Sequence, residues 1–246
     1  MSATSTIYRQ TILEELNRWK FEMLKKPGRI NKLAKKLQTK INGYIPEKVH
    51  QAITSAIKQM IRTVLFGAGW TTGKLKTQSS LEEIEIEVEK KITIYKRTGG
   101  LEGGITGAGG ILMGFADFPL LLGIKLKMLF DIATTYGFDV KDYRERLYIL
   151  HIFLLAFCSD EKRKETFLLM EDWDKTLQSL PEDIHEYDWR SLQQEYRDYI
   201  DLAKMAQLIP VIGAAVGLVA NYRLLKKLGF TAMQAYRMRW QTLGKI

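Results

Sequence analysis

Side chains able to do chemistry are few in this chain, and they are scattered. There are three histidines, His50, His151 and His185, and one cysteine, Cys158. His185-Glu186 lacks the second histidine that would complete a zinc-binding helix face, and His50 and His151 stand alone. Cys158 closes an apolar run, with His151 two helical turns upstream on the same face. A reactive thiolate needs a cation and a base beside it, so this setting favours a buried, inert thiol. No serine has the flanking glycines of a nucleophile turn. The run from Gly99 to Thr106 has the spacing of a phosphate loop, but Ile105 occupies the position of the lysine that would reach the phosphates. The expectation is no catalytic residue, no cofactor and no metal ligand.

What recurs instead is glycine at helical spacing. Gly99, Gly103 and Gly107 lie four residues apart, Gly110 and Gly114 repeat the interval, and Gly213, Gly217 and Asn221 do so again near the C-terminus. Glycine in an exposed helix interior costs about 1 kcal/mol relative to alanine. Regular glycines therefore point to helices that approach closely, a device familiar from helix pairs in membranes. Two polar residues mark these stretches, Asp117 and Asn221. Asp117 stands two residues before Pro119, as an N-cap would. A functional reading has it facing Asn221 between the stripes. Residues 103–124 carry one charge, Asp117, yet Pro119 and the glycines interrupt the run of ~20 apolar residues that a spanning helix requires. A buried core and a shallow insertion into the membrane interface both fit.

Charge is distributed unevenly. The net charge is +9, residues 1–76 hold 15 Lys/Arg against 4 Asp/Glu, and residues 151–207 hold 7 against 13. Residues 208–246 hold 6 basic residues and no acidic one. Lys32, Lys35, Lys36 and Lys40 share one face of a predicted amphipathic helix. Arg223, Lys226 and Lys227 precede the mixed segment Tyr236-Arg237-Met238-Arg239-Trp240. Lysine and arginine neutralise anionic headgroups while Trp and Tyr sit at the interface, so these residues with Trp240 are candidate lipid contacts. Solvated helix faces are the competing account. Nucleic acid ranks below a membrane, because no helix-turn-helix, stacking sheet or zinc module accompanies the basic residues.

The elements that must carry these residues read as helices nearly throughout. Tyr8, Ile12, Leu16, Trp19 and Met23 share a face, with Ser5 as cap and Pro27-Gly28 as stop. A basic helix follows over 30–41, and another opens at Pro46 and halts at Gly67. Residues 81–95 alternate like a strand at Ile84, Ile86 and Val88. The capping box Ser80/Glu83 and the helical spacing of Leu81, Ile84, Val88, Ile92 and Tyr95 decide for helix. Further helices are predicted over 118–136, 143–157, 161–178, 189–207, 210–228 and 231–240, broken at Gly137, Ser159-Asp160, Pro181, Pro210 and Gly229. The expected fold is all-α, a single domain over 1–246 with basic helices in 1–45 and the main body in 46–246. Two glycine-zipper-like apolar helices lie at its centre. The N-terminus has no signal-peptide pattern, so a cytoplasmic location is expected.

The glycine-rich helix, Ala116-Asp117-Phe118-Pro119 opening the next one, Tyr136-Gly137-Phe138-Asp139 closing it, and Ile209-Pro210-Val211-Ile212-Gly213 leading to Asn221 together resemble the EcsC family. The likeness runs from about residue 40 onward. It implies a helical protein working at or near the membrane, encoded in the founding bacterial case beside the ATPase and membrane subunits of an ABC exporter-like system tied to secretion. The basic faces point to an anionic membrane surface as partner, and the resemblance points to the membrane subunit of such a transporter; the expected partner is either or both. A non-enzymatic, membrane-peripheral accessory role follows. A lipid- or hydrophobic-ligand-binding protein and a hydrolase with a cryptic site are the alternatives.

Overall fold

The computed structural model describes residues 3–25, 47–66, 80–106, 118–160, 162–199 and 214–246. Every element among them is helical: α1 (Ala3–Leu24), α2 (Glu47–Phe66), α3 (Leu81–Thr106), α4 (Phe118–Thr135), α5 (Tyr143–Phe157), α6 (Arg163–Glu171), α7 (Trp173–Ser179), α8 (Trp189–Tyr199) and α9 (Ala214–Thr242), with a 3-10 turn at Ile184–Glu186. The all-α class expected from periodicity is the one observed.

Local chemistry sets the helix ends. Ser80 and Glu83 form the reciprocal capping box that resolves the strand-or-helix ambiguity of α3. The Ser80 amide donates to Glu83 Oε2 at 2.9 Å, and the Glu83 amide donates to Ser80 Oγ at 3.3 Å. The α4 helix stops in a Schellman motif. Gly137 takes a positive φ of 86°, its amide donates to Thr134 O, and the Phe138 amide donates to Ala133 O. Asp142 caps α5 by accepting from the Arg144 amide at 2.9 Å.

Three helices form the layer that matters most here. Glu85 meets Arg237, Ile92 lies on Gly229, and Lys96 sits over Tyr222, so α3 and α9 run antiparallel. Lys91 bonds Thr135 and Tyr95 bonds Asp131, which makes α4 antiparallel to α3 as well. The C-terminal end of α3 and the N-terminal ends of α4 and α9 therefore lie at one end of the layer. Behind it runs α5, whose residues 147–157 are all buried, as befits a helix apolar on every side. It is tied to α9 by the Tyr148 hydroxyl, which donates to Ala235 O at 2.9 Å. The α1 helix crosses the α3/α9 pair and reaches α6 through an edge-to-face contact between Trp19 and Phe167. One hydrophobic core draws on all of these.

Several boundaries differ from the sequence expectation. No break occurs at Gly229: α9 runs straight through it. A Cβ there would fall 2.8–2.9 Å from three carbons of Ile92, so this glycine serves close packing within a helix, not a turn. The helix predicted over 161–178 is two, separated at Asp172. Ser5 lies inside α1, not at its cap. Gly99 and Gly103 belong to the last turns of α3, which continues well past Tyr95. Gly107, Gly110, Gly114 and Gly213 lie outside the described residues, and so does the basic helix over 30–41. Among the described residues no helix is long and apolar enough to cross a membrane.

Candidate functional site

Expected lipid contacts in the last helix turn out to be interior. Arg237 is 4% exposed and makes a bidentate pair with Glu85, itself 1% exposed, through Nε–Oε1 and Nη2–Oε2 distances of 2.7 Å. The same carboxylate accepts the Tyr8 hydroxyl at 2.7 Å and the Tyr136 hydroxyl at 3.1 Å. Glu15, half exposed on α1, stands 3.1 Å from Arg237 Nη1 and accepts Gln234 Nε2 at 2.9 Å. Burial works against the charge on Arg237, but the hydrogen bonds and charge of Glu85 outweigh it, and its pKa moves up.

Arg239 makes the second pair. It bonds Glu145, which also accepts the Tyr236 hydroxyl at 2.8 Å, and its guanidinium lies 4.0 Å from the centre of the Phe138 ring. Burial raises the Glu145 pKa, and Arg239 pulls against that. Trp240 is buried and donates its indole N–H to Tyr136 O at 3.1 Å. The assignment of Arg237, Arg239 and Trp240 to a lipid surface is corrected accordingly. Residues 231–238 are all buried, and charges inside such a segment must be paired.

Asn221 is buried too, and its partner is one that sequence reasoning missed. Lys125 of α4, 0% exposed, donates from Nζ to Asn221 Oδ1 at 2.7 Å. Desolvation pushes the Lys125 pKa down to about 7. A signal for it existed: Lys125 falls on the apolar stripe of Leu122, Leu126 and Leu129, where a lysine has no route to solvent. Asp117, the expected partner of Asn221, lies outside the described residues, as do Lys32, Lys35, Lys36 and Lys40. Gly217 lies in the first turns of α9.

Other basic candidates do reach the surface. Arg223, Lys226 and Lys227 are exposed on α9. Lys96 and Arg97 of α3 join them, because Lys96 Nζ stands 5.1 Å from the centre of the Tyr222 ring. Tyr222 itself is 44% exposed. The α9 helix has no acidic residue at all, and α3 has none from Lys90 to Leu101. These cations lie toward the same end of the layer as the glycine-bearing ends of α3, α4 and α9, which are apolar in sequence except for Glu102 of α3.

Nothing in the described residues assembles reactive groups. No cluster of three or more His, Cys, Asp or Glu side chains that could hold a metal occurs among them. Cys158 is buried, with its thiol toward Leu155 O. His151 is buried against Trp173, with Nδ1 2.8 Å from Leu147 O, and burial lowers its pKa. A cleft of about 640 Å³ opens beside Phe66, Tyr143, Arg146 and Ile184, and one of about 270 Å³ beside Phe138, Arg144, Glu145 and Arg239. The second is walled by charges already paired with each other.

Interior arginines that pin the last helix, and described residues that assemble no metal cluster, define an all-α protein whose buried charges are spent on holding its helices together. By sequence, the chain belongs to the EcsC protein family, whose model matches residues 10–240. The match takes in α1 from residue 10, well before the residue-40 boundary of the resemblance. "Protein EcsC" of Bacillus subtilis (strain 168) is 44% identical over 231 residues, covering 94% of this chain and 95% of that protein. "Uncharacterized protein YdbA" of the same organism is 29% identical over 235 residues, covering 92% and 84%. No solved structure matches the chain significantly.

Proposed function

We propose that this chain is a non-enzymatic accessory protein that works at the inner face of the cell membrane, beside the membrane subunit of an ABC transporter. The observation that carries the reading is the convergence of the C-terminal end of α3 with the N-terminal ends of α4 and α9. These ends are glycine-bearing and apolar in sequence except for Glu102 of α3, and the exposed cations Arg97, Arg223 and Lys226 stand beside them. An apolar end with basic shoulders suits a surface that is negative outside and hydrocarbon inside. Membership of the EcsC family supports the same direction through the transporter setting that the resemblance implies. The test is flotation of the purified chain with phosphatidylglycerol-containing and with pure phosphatidylcholine vesicles at low salt, together with cross-linking in cells. Flotation with the anionic vesicles and cross-links to transporter subunits are expected. Failure to float, with no membrane partner captured, overturns the reading.

A further inference from the structure

We infer that Lys96 and Arg97 on α3, with Tyr222, Arg223 and Lys226 on α9, form a collar that seats the protein end-on in an anionic phospholipid headgroup layer. This rests on the membrane reading above and names the face and the depth at which contact is made.

Three features carry it. The α3 and α9 helices are antiparallel, and the cation–π contact between Lys96 and Tyr222 fixes the two groups of cations at one level along the pair. Beyond that level α3 continues for nine residues from Arg97 to Thr106, with Glu102 its one charge, and α9 begins at Ala214, nine residues before Arg223. At the helical rise, both ends stand about 13 Å beyond the collar. An interfacial element buries its apolar part roughly 5–10 Å into the headgroup–acyl boundary, so cations set that far back fall among the phosphates.

The third feature is composition. Ile94 is 61% exposed one turn below Arg97, and Tyr222 lies exposed between the cations. A surface for a nucleic-acid backbone gains nothing from an exposed isoleucine, whereas tyrosine and aliphatic side chains are at home at the lipid interface. Among the described residues no ion pair engages Lys96, Arg97, Arg223 or Lys226. This contrasts with Arg237 and Arg239, whose carboxylates are supplied from within.

The experiment measures partition of the full chain into phosphatidylglycerol-containing vesicles by sedimentation at low salt, for wild type, K96Q/R97Q, R223Q/K226Q and the control K58Q/R62Q. The control removes the same charge from exposed positions on α2, away from the collar. With each basic residue near an anionic surface contributing about fivefold, each collar pair should weaken partition about 30-fold. The control should change it less than about threefold, at an unchanged circular dichroism melt. Wild-type binding with all three variants equal overturns the collar and leaves the membrane reading standing. No wild-type binding to vesicles overturns both. Collar-dependent binding to a DNA duplex without vesicle binding assigns the face to nucleic acid and overturns the inference.

Discussion

Replacing Glu85 with glutamine tests whether the buried pairs hold the last helix in place. Glu85 accepts from four donor atoms: two of Arg237, the Tyr8 hydroxyl and the Tyr136 hydroxyl. Glutamine keeps the shape and one acceptor, but its amide turns two donors toward the guanidinium and leaves the Arg237 charge uncompensated at 4% exposure. Glu15 does not make up the loss, because its side chain is 41% exposed and its attraction is screened. Breaking a buried pair by removing one partner costs about 3–5 kcal/mol. For a chain of this length, 1 kcal/mol moves the melting midpoint by about 2–4 °C, so a drop on the order of 10 °C is expected. Urea and thermal unfolding followed by far-ultraviolet circular dichroism read this directly. The double replacement E85L/R237M should be milder than either E85Q or R237M alone, since it removes both charges together. An E85Q loss below about 1 kcal/mol would refute the reasoning, as would a double variant as damaged as the two singles added.

Two glycines in helices should respond in opposite senses. Gly229→Ala puts a methyl group into Ile92 and should cost about 1–3 kcal/mol, largely recovered by adding Ile92→Ala. Gly123→Ala meets nothing within 4 Å and should gain about 1 kcal/mol in chemical denaturation. Stability should depend on pH through Lys125. The unfolded lysine keeps its proton up to its ordinary 10.5, while the folded one gives it up at about 7. Across that window the unfolded state binds more protons, so unfolding free energy rises with pH by an amount on the order of a few kcal/mol. Lys125→Met should flatten the rise in urea titrations at successive pH values, and an unaltered slope would exclude Lys125 as its source.

Local signals carried much of the fold. The capping box at Ser80/Glu83 outweighed an alternating pattern, because two reciprocal hydrogen bonds specify a helix start and alternation over a few residues does not. Gly137 ended α4 where a left-handed residue was needed. Gly229 was misread by the same rule, since a glycine kept for contact with a neighbouring helix has the same local appearance as one kept for a turn. The segment from Tyr236 to Trp240 has the residue types of an interfacial anchor but the neighbourhood of a core helix. Ala232, Met233, Ala235 and Met238 surround it with apolar side chains, and that density was the signal of burial. Its carboxylate partners lie 152 and 94 positions upstream, and pairing over such distances is decided by packing that no local pattern encodes. The exposure of Arg223, Lys226 and Lys227 was legible, as cations on an acid-free helix.

Arg237 and Arg239 lie two positions apart, so they leave α9 in nearly opposite directions, one toward Glu85 on α3 and the other toward Glu145 on α5. Teeth on two sides make the helix a key in a lock: it can neither slide along its axis nor roll about it without withdrawing one charge from its carboxylate. The compass bearing of Tyr222, Arg223 and Lys226, some four turns away, is thereby set by bonds deep in the interior. A substitution at Glu85 or Glu145 would turn that outward face off its heading even if every surface residue were left untouched.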